Sequence, residues 1–213
     1  MRLNMKSIYQ VLFLMSCIIL TSCKNSSQQQ YGNNDVLESN IFTNIEIGWT
    51  MTIPSNWKVA SKEESNKRVL EGYESIESTT SEEYDKSQFT NILTFEKDMF
   101  NTFSSTIEKY DLELHGDWKI TNSVVKKMAY ETYIKQGLKV DSTHTKTESI
   151  DGIEFEFYEF SFYNQNKEIV LNQIMYSKLI NGFDFGVNIN YNNLDDKNLL
   201  LNNWRDSKFS FKN

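Results

Sequence analysis

Two dipeptides, Asp151-Gly152 and Asn181-Gly182, constrain the fold of this chain more than any other feature. A two-residue hairpin loop needs left-handed backbone at its centre, and Asp-Gly and Asn-Gly supply it at little cost. Beyond the second turn, Phe183, Phe185, Val187, Ile189 and Tyr191 alternate with mostly polar residues, the period of a strand with one buried face. Residues 168–178 are apolar on both phases, which predicts a central strand covered on both sides. After the first turn, Ile153, Phe155 and Phe157 share one phase, while Phe160 and Phe162 share the other. A bulge near Tyr158-Glu159 would reconcile them. Residues 139–150 are long, Thr-rich and polar, which suits an edge strand. The C-terminal half therefore reads as a four-strand antiparallel meander.

Upstream, Ile45, Ile47, Trp49, Met51 and Ile53 alternate with mostly polar residues and predict one strand, ended by Pro54-Ser55-Asn56. Residues 57–60 return as the second arm of an N-terminal hairpin. Ser61 and Glu64 form a capping-box pattern ahead of a helix over about 62–77, with a polar loop over 78–88. A strand follows at 89–97. Phe103, Ile107, Tyr110 and Leu114 recur at intervals of three and four and predict a second helix. Val125, Met128, Ala129 and Tyr133 predict a third over about 122–136, ended by Gly137. Asn193 or Asp195 caps a last helix bearing Leu200, Leu201 and Trp204. The expected fold class is α+β: an antiparallel sheet, made of the C-terminal meander plus the N-terminal hairpin, with helices packed on it.

The first residues have a different logic. Arg2 and Lys6 precede a mostly apolar run, Ile8 to Leu20, of thirteen residues. A bilayer span needs about 20, whereas a signal-peptide core has this length. The run ends in Leu20-Thr21-Ser22-Cys23, which resembles the lipobox of bacterial lipoproteins. That resemblance implies diacylglycerol on the Cys23 thiol, cleavage just before it, and acylation of the new amine, as with palmitate. Two or more acyl chains hold a protein at a membrane where one is marginal. The chain then divides into a signal peptide at 1–22, a tether of Ser, Gln, Asn and Gly at 23–41, and one domain at 42–213. Lys24 resembles in part the surface-export signal of some lipoproteins, but Asn25 and Ser26 stand where acidic residues would follow. Attachment at either the periplasmic face of the outer membrane or the cell surface fits.

Loss of residues 1–22 removes Arg2 and Lys6 and takes the net charge from −7 to −9. An acidic protein of this kind is not expected to bind nucleic acid, whose phosphates need a basic face. Of the two cysteines, Cys17 leaves with the leader and Cys23 bears lipid, so the domain is expected to fold without a disulfide.

The stretch Met51-Thr52-Ile53-Pro54-Ser55-Asn56-Trp57, followed by helices, a meander and a final helix, resembles the PsbP-like fold, an α/β/α sandwich, over roughly residues 42–211. That family offers no catalytic motif to carry over. Trp57 matches by position, as a packing residue.

The residues themselves point the same way. The two histidines, His115 and His144, have no cysteine or carboxylate at ligand spacing. Ser161 lacks the glycines of a nucleophile elbow, and no glycine-rich loop could cradle phosphate. Glu154, Glu156 and Glu159 lie on one strand and read as a solvated face, since an acid–base pair needs contrasting environments. Neither metal nor cofactor is expected. Tyr158, Phe160, Phe162, Tyr163 and Tyr176 could line a groove or an interface, although such residues also fill sheet–helix cores. The leading expectation is a non-enzymatic, lipid-anchored module that binds an envelope protein. The alternative is a carrier holding a small apolar or lipid ligand between sheet and helices.

Overall fold

The structure, a computed structural model, describes residues 35–80 and 89–210. The leader, Cys23 and the start of the tether lie outside the described residues, as does 81–88 of the expected loop. Strands β1 (Asp35–Glu38) and β2 (Ile41–Asn44) form a hairpin, so β1 lies within the stretch expected to be tether. Asn44 Nδ2 donates to Asp35 Oδ1 at 2.7 Å and closes the hairpin's open end.

The single strand expected over 45–53 is broken. Residues 45–48 turn, with the Gly48 amide donating to the Ile45 carbonyl at 3.3 Å and Gly48 at φ 63°. Asn44 Oδ1 accepts from the Ile47 amide and fixes the turn's start. Only then does β3 (Trp49–Thr52) begin, paired with β2. The expected N-terminal hairpin does not form either. After Asn56, at φ 68°, the chain enters β4 (Lys58–Val59), which pairs with a strand of a different sheet.

That larger sheet is antiparallel and uses both hairpin turns. Asp151 and Gly152 sit at φ 49° and 84°, and Asn181 and Gly182 at 51° and 77°. They join β8 (Lys146–Ile150) to β9 (Ile153–Tyr163), and β10 (Ile169–Ile180) to β11 (Phe183–Tyr191). With β5 (Phe89–Glu96), β6 (Thr102–Lys109) and β7 (Lys139–Ser142), the order is β4-β5-β6-β11-β10-β9-β7, and β8 also pairs with β9. A second sheet of order β1-β2-β3-β12 ends in β12 (Lys208–Phe209).

Three sequence expectations change here. The second helix is strand β6. Phe103 and Ile107 are four apart, a spacing that fits a strand face as well as a helix face, and the inward residue between them is the fully buried Ser105. Its polarity hid the alternation. Only α2 (Leu112–His115) is helical in that stretch. The long edge strand is two pieces, β7 and β8, although Thr143 between them stays attached through its amide to the Glu159 carbonyl at 2.9 Å. The bulge expected at Tyr158-Glu159 does not disturb the β10 side, where β9 pairs in unbroken register from Glu156 to Phe162. On the edge side the register shifts by one residue there, between Ser142↔Phe160 and Lys146↔Phe157, the extra residue lying between β7 and β8. No bulge in β9 itself is needed, because both faces of β9 are covered. A further irregularity lies between Ile169 and Leu171 on β10.

The main core lies between the two sheets and α4 (Leu194–Arg205). Phe42, Trp49, Phe95, Phe103, Phe155, Phe185 and Trp204 are all fully buried in it. Trp49 meets Phe185 with ring centres 5.2 Å apart, and Phe155 meets Trp204 at 5.1 Å. Asn193, not Asp195, caps α4, accepting from the Asp196 amide. On the sheet's other face lie α1 (Lys62–Thr80) over β5 and α3 (Trp118–Lys135) over β7. The Ser61–Glu64 capping box forms as expected, with bonds of 2.9 and 3.2 Å. Asp117 caps α3 at its start, and Gly137, at φ 80°, follows its end. A smaller core of Val140, Tyr158 and Phe160 fills the space beneath α3.

Candidate functional site

The five aromatic candidates do not share a surface. Tyr158 and Phe160 are buried, and Phe162 packs beside them, under Tyr130 and Tyr133 of α3. Tyr176 is buried on the opposite face, within the main core. Tyr163, at the end of β9, is half-buried, and Asp141 beside it pushes its phenol up. As a set they are packing residues, because β9 places successive side chains on opposite faces of a sheet covered on both.

The phenols are tied to carboxylates. Tyr176 donates to Glu148 Oε2 at 2.6 Å, and Arg205 Nε of α4 donates to Glu148 Oε1 at 2.7 Å. Tyr191 donates to Glu159, whose other neighbour is Lys197 of α4 at 3.9 Å. Lys197 also stands 4.8 Å from the centre of the Tyr191 ring. Burial, with the adjacent carboxylate second, pushes both phenols far above their ordinary range. At neutral pH they remain donors. The two clusters fasten α4 to the sheet.

The three glutamates of β9 diverge. Glu159 faces α4. Glu156 lies on the α3 side, where Oε2 accepts from Asn122 Nδ2 at 2.7 Å, and Asn122 Oδ1 accepts from Ser177 at 2.9 Å. Glu154 is exposed. They form no acid–base pair. His115 is exposed at the end of α2, with its ring 5.4 Å from that of Tyr110, and His144 is exposed between β7 and β8. Ser161 is bonded to Asn172 at 2.8 Å. Among the described residues, no three His, Cys, Asp or Glu side chains gather as a metal site.

Two features escaped the sequence reading. One is the corner where α2 meets α3. Leu112, Leu114, Ile120 and Val124 are 61%, 76%, 67% and 48% exposed there. Ile120 and Val124 lie one turn apart on the outward side of α3, opposite the buried Trp118 and Asn122. The signal was available: α3 has apolar residues on more than one face, and a single sheet can cover only one. The other feature is the sheet face between α1 and α3. There the side chains from β6 and β11 are polar: Thr102, Ser104, Thr106, Asn188 and Asn190.

The sequence matches no protein-family model and no curated protein. Solved structures do match. The solution structure of cyanobacterial PsbP (CyanoP) from Synechocystis sp. PCC 6803 superposes with a TM-score of 0.53 at 10% identity, covering 89% of this chain and 98% of that one. The fold is therefore PsbP-like: antiparallel sheet with helices packed on it. At that identity the likeness concerns architecture, and one architecture hosts unrelated functions.

Proposed function

We propose that this chain is a bacterial lipoprotein, acylated at Cys23 and held at the cell envelope, whose PsbP-like domain is a non-catalytic module that binds an envelope protein. The lipobox-like Leu20-Thr21-Ser22-Cys23 supports the anchor. The single observation that supports protein binding is the exposure of four large aliphatic side chains, Leu112, Leu114, Ile120 and Val124, on α2 and the first turns of α3. Large apolar side chains left to water cost solubility, and a concentration of them in one part of a chain favours a contact surface. The non-catalytic reading rests on the carboxylates and phenols, which are engaged in fastening helices to the sheet. The carrier reading is less favoured, because the layer between the central strands and helices is lined by Ser, Thr and Asn, which an apolar ligand would desolvate.

The test is crosslinking in native membranes, with recovery of the chain and mass spectrometry. Wild type, Cys23→Ala and Leu114→Lys/Ile120→Lys are compared. A stoichiometric partner that is recovered with wild type and lost in the lysine variant supports the reading. Recovery unaffected by the lysines sinks the corner as the contact surface. Unchanged membrane retention of Cys23→Ala sinks the anchor.

A further inference from the structure

From the polar face between α1 and α3, we infer a binding site for a small neutral ligand rich in O–H donors, of the monosaccharide class. This inference is independent of the anchor and of the α2–α3 corner. Strand register builds the floor. One rung across the sheet reads Thr94, Ser104, Asn188. The next reads Thr102, Asn190, Gln173, and the rung on the other side reads Thr106, Gly186, Ser177. Met175 of β10, opposite Asn188 and between Gln173 and Ser177, is the one apolar side chain on this face within these rungs from β6 to β10. The helices flank this floor, with α1 over β5 and α3 over β7. Ser104, Thr106, Gly186 and Asn188 remain half-exposed at its centre.

Within this floor two amide oxygens lack a partner: Asn188 Oδ1 and Asn190 Oδ1. Asn190 is 2% exposed, and its Nδ2 donates to Thr102 Oγ1 at 2.9 Å, which leaves Oδ1 as the amide atom without a partner. On α1, the Ser65 hydroxyl is also buried and unpartnered. Ser65 lies one turn before Arg68, which pairs at 2.8 Å with Glu96, the β5 residue opposite Thr102. A buried acceptor without a donor costs about 1–3 kcal/mol, and native structures rarely leave one so.

The chemistry of the ligand follows from what the floor offers. Asn188 and Asn190 are alternate residues of one strand, so their Cα atoms stand roughly 6.5–7 Å apart. That spacing suits two hydroxyls of one small ring. The surrounding Ser and Thr hydroxyls can donate or accept as needed. The charged groups at the margins are already engaged: Glu96 with Arg68, Glu156 with Asn122, and Asp184 with Trp118. Neutral acceptors beside flexible hydroxyls select a neutral polyol over an ion or an apolar chain. The Tyr133 phenol, bonded to Gln173 Oε1 at 2.9 Å, stands at one wall.

The test titrates the full chain with glucose, galactose, N-acetylglucosamine and glycerol, with decanoate as the apolar comparison. Binding is followed by calorimetry and by the side-chain amide NMR signals of Asn188 and Asn190. At least one sugar is expected to bind saturably and shift both amide signals. Asn188→Leu is expected to weaken it at least about tenfold, the loss of a good hydrogen bond. The same variant should fold with undiminished stability, because it removes an unpartnered polar atom. Asn190→Leu is a second reading of the site. If no sugar shifts the amides and long-lived water accounts for both oxygens, the inference is overturned. Tighter binding of decanoate than of every sugar overturns it as well.

Discussion

The Trp118 indole donates to Asp184 Oδ1 at 2.9 Å, joining the first turn of α3 to the hairpin end of β11. Both residues are largely removed from solvent. Burial raises the Asp184 carboxyl above its usual range, and the indole bond pulls it partly back. The bond therefore stabilises the charged form that burial disfavours.

Trp118→Phe is expected to cost about 1–3 kcal/mol, because it leaves a buried carboxylate without its donor. Urea denaturation at neutral pH measures it. The loss should shrink as pH falls and Asp184 takes up a proton. A pH-independent loss would assign the effect to packing alone.

Asp35 makes stability depend on pH. Burial, opposed by the Asn44 bond, raises its carboxyl from 3.8 to about 7. The folded state thus holds a proton that the unfolded state has released. The associated stability is complete below the unfolded value of 3.8 and is lost as pH rises through about 7. With solvent screening at this sheet end, the change is on the order of 2 kcal/mol. Asp35→Asn should flatten the stability profile across that window, as read from thermal unfolding between acid and neutral pH.

Two fully buried tryptophans should respond unequally to the same change. Trp49 Nε1 donates to Ser207 Oγ at 3.1 Å, whereas Trp204 Nε1 has no partner. Trp49→Phe leaves a buried hydroxyl without its donor, and Trp204→Phe removes an unpaired N–H. Trp49→Phe should be more destabilising by about 1 kcal/mol. Paired urea curves decide the order.

At the α2–α3 corner, Leu114→Lys and Ile120→Lys should change stability by less than about 0.5 kcal/mol, the usual effect at exposed positions. Their effect should appear in partner recovery. A large loss of stability would show that these side chains support the fold.

The legibility of the sequence varied with how local its signals were. Asp151-Gly152 and Asn181-Gly182 specify their own backbone, and both hairpins form where expected. The capping box at Ser61 and Glu64 is equally local. Errors arose where a residue's partner was distant. Phe103 and Ile107 satisfy two periods, and only pairing with β5 and β11 selects the strand. Tyr158 and Phe160 looked out of phase because one face was assumed to be wet, whereas α3 covers it. The aromatic candidates failed as a surface for the same reason. The polar floor was invisible in sequence because its rungs draw on strands up to about ninety residues apart, as the Asn190–Thr102 bond shows with a separation of 88.

The first strand of the small sheet also has a mechanical meaning. Among the described residues β1 pairs with β2 alone, and the Asp35–Asn44 contact is the first rung met from the N-terminal side. Force entering the fold at Asp35 would open that hairpin one rung at a time, as a zipper opens. β3 is gripped on its other side by β12, so peeling β1 would lift Leu37 off the main core while β2, β3 and β12 stay paired. The hairpin can thus act as a shock absorber, yielding a few residues of slack before the load reaches the rest of the domain.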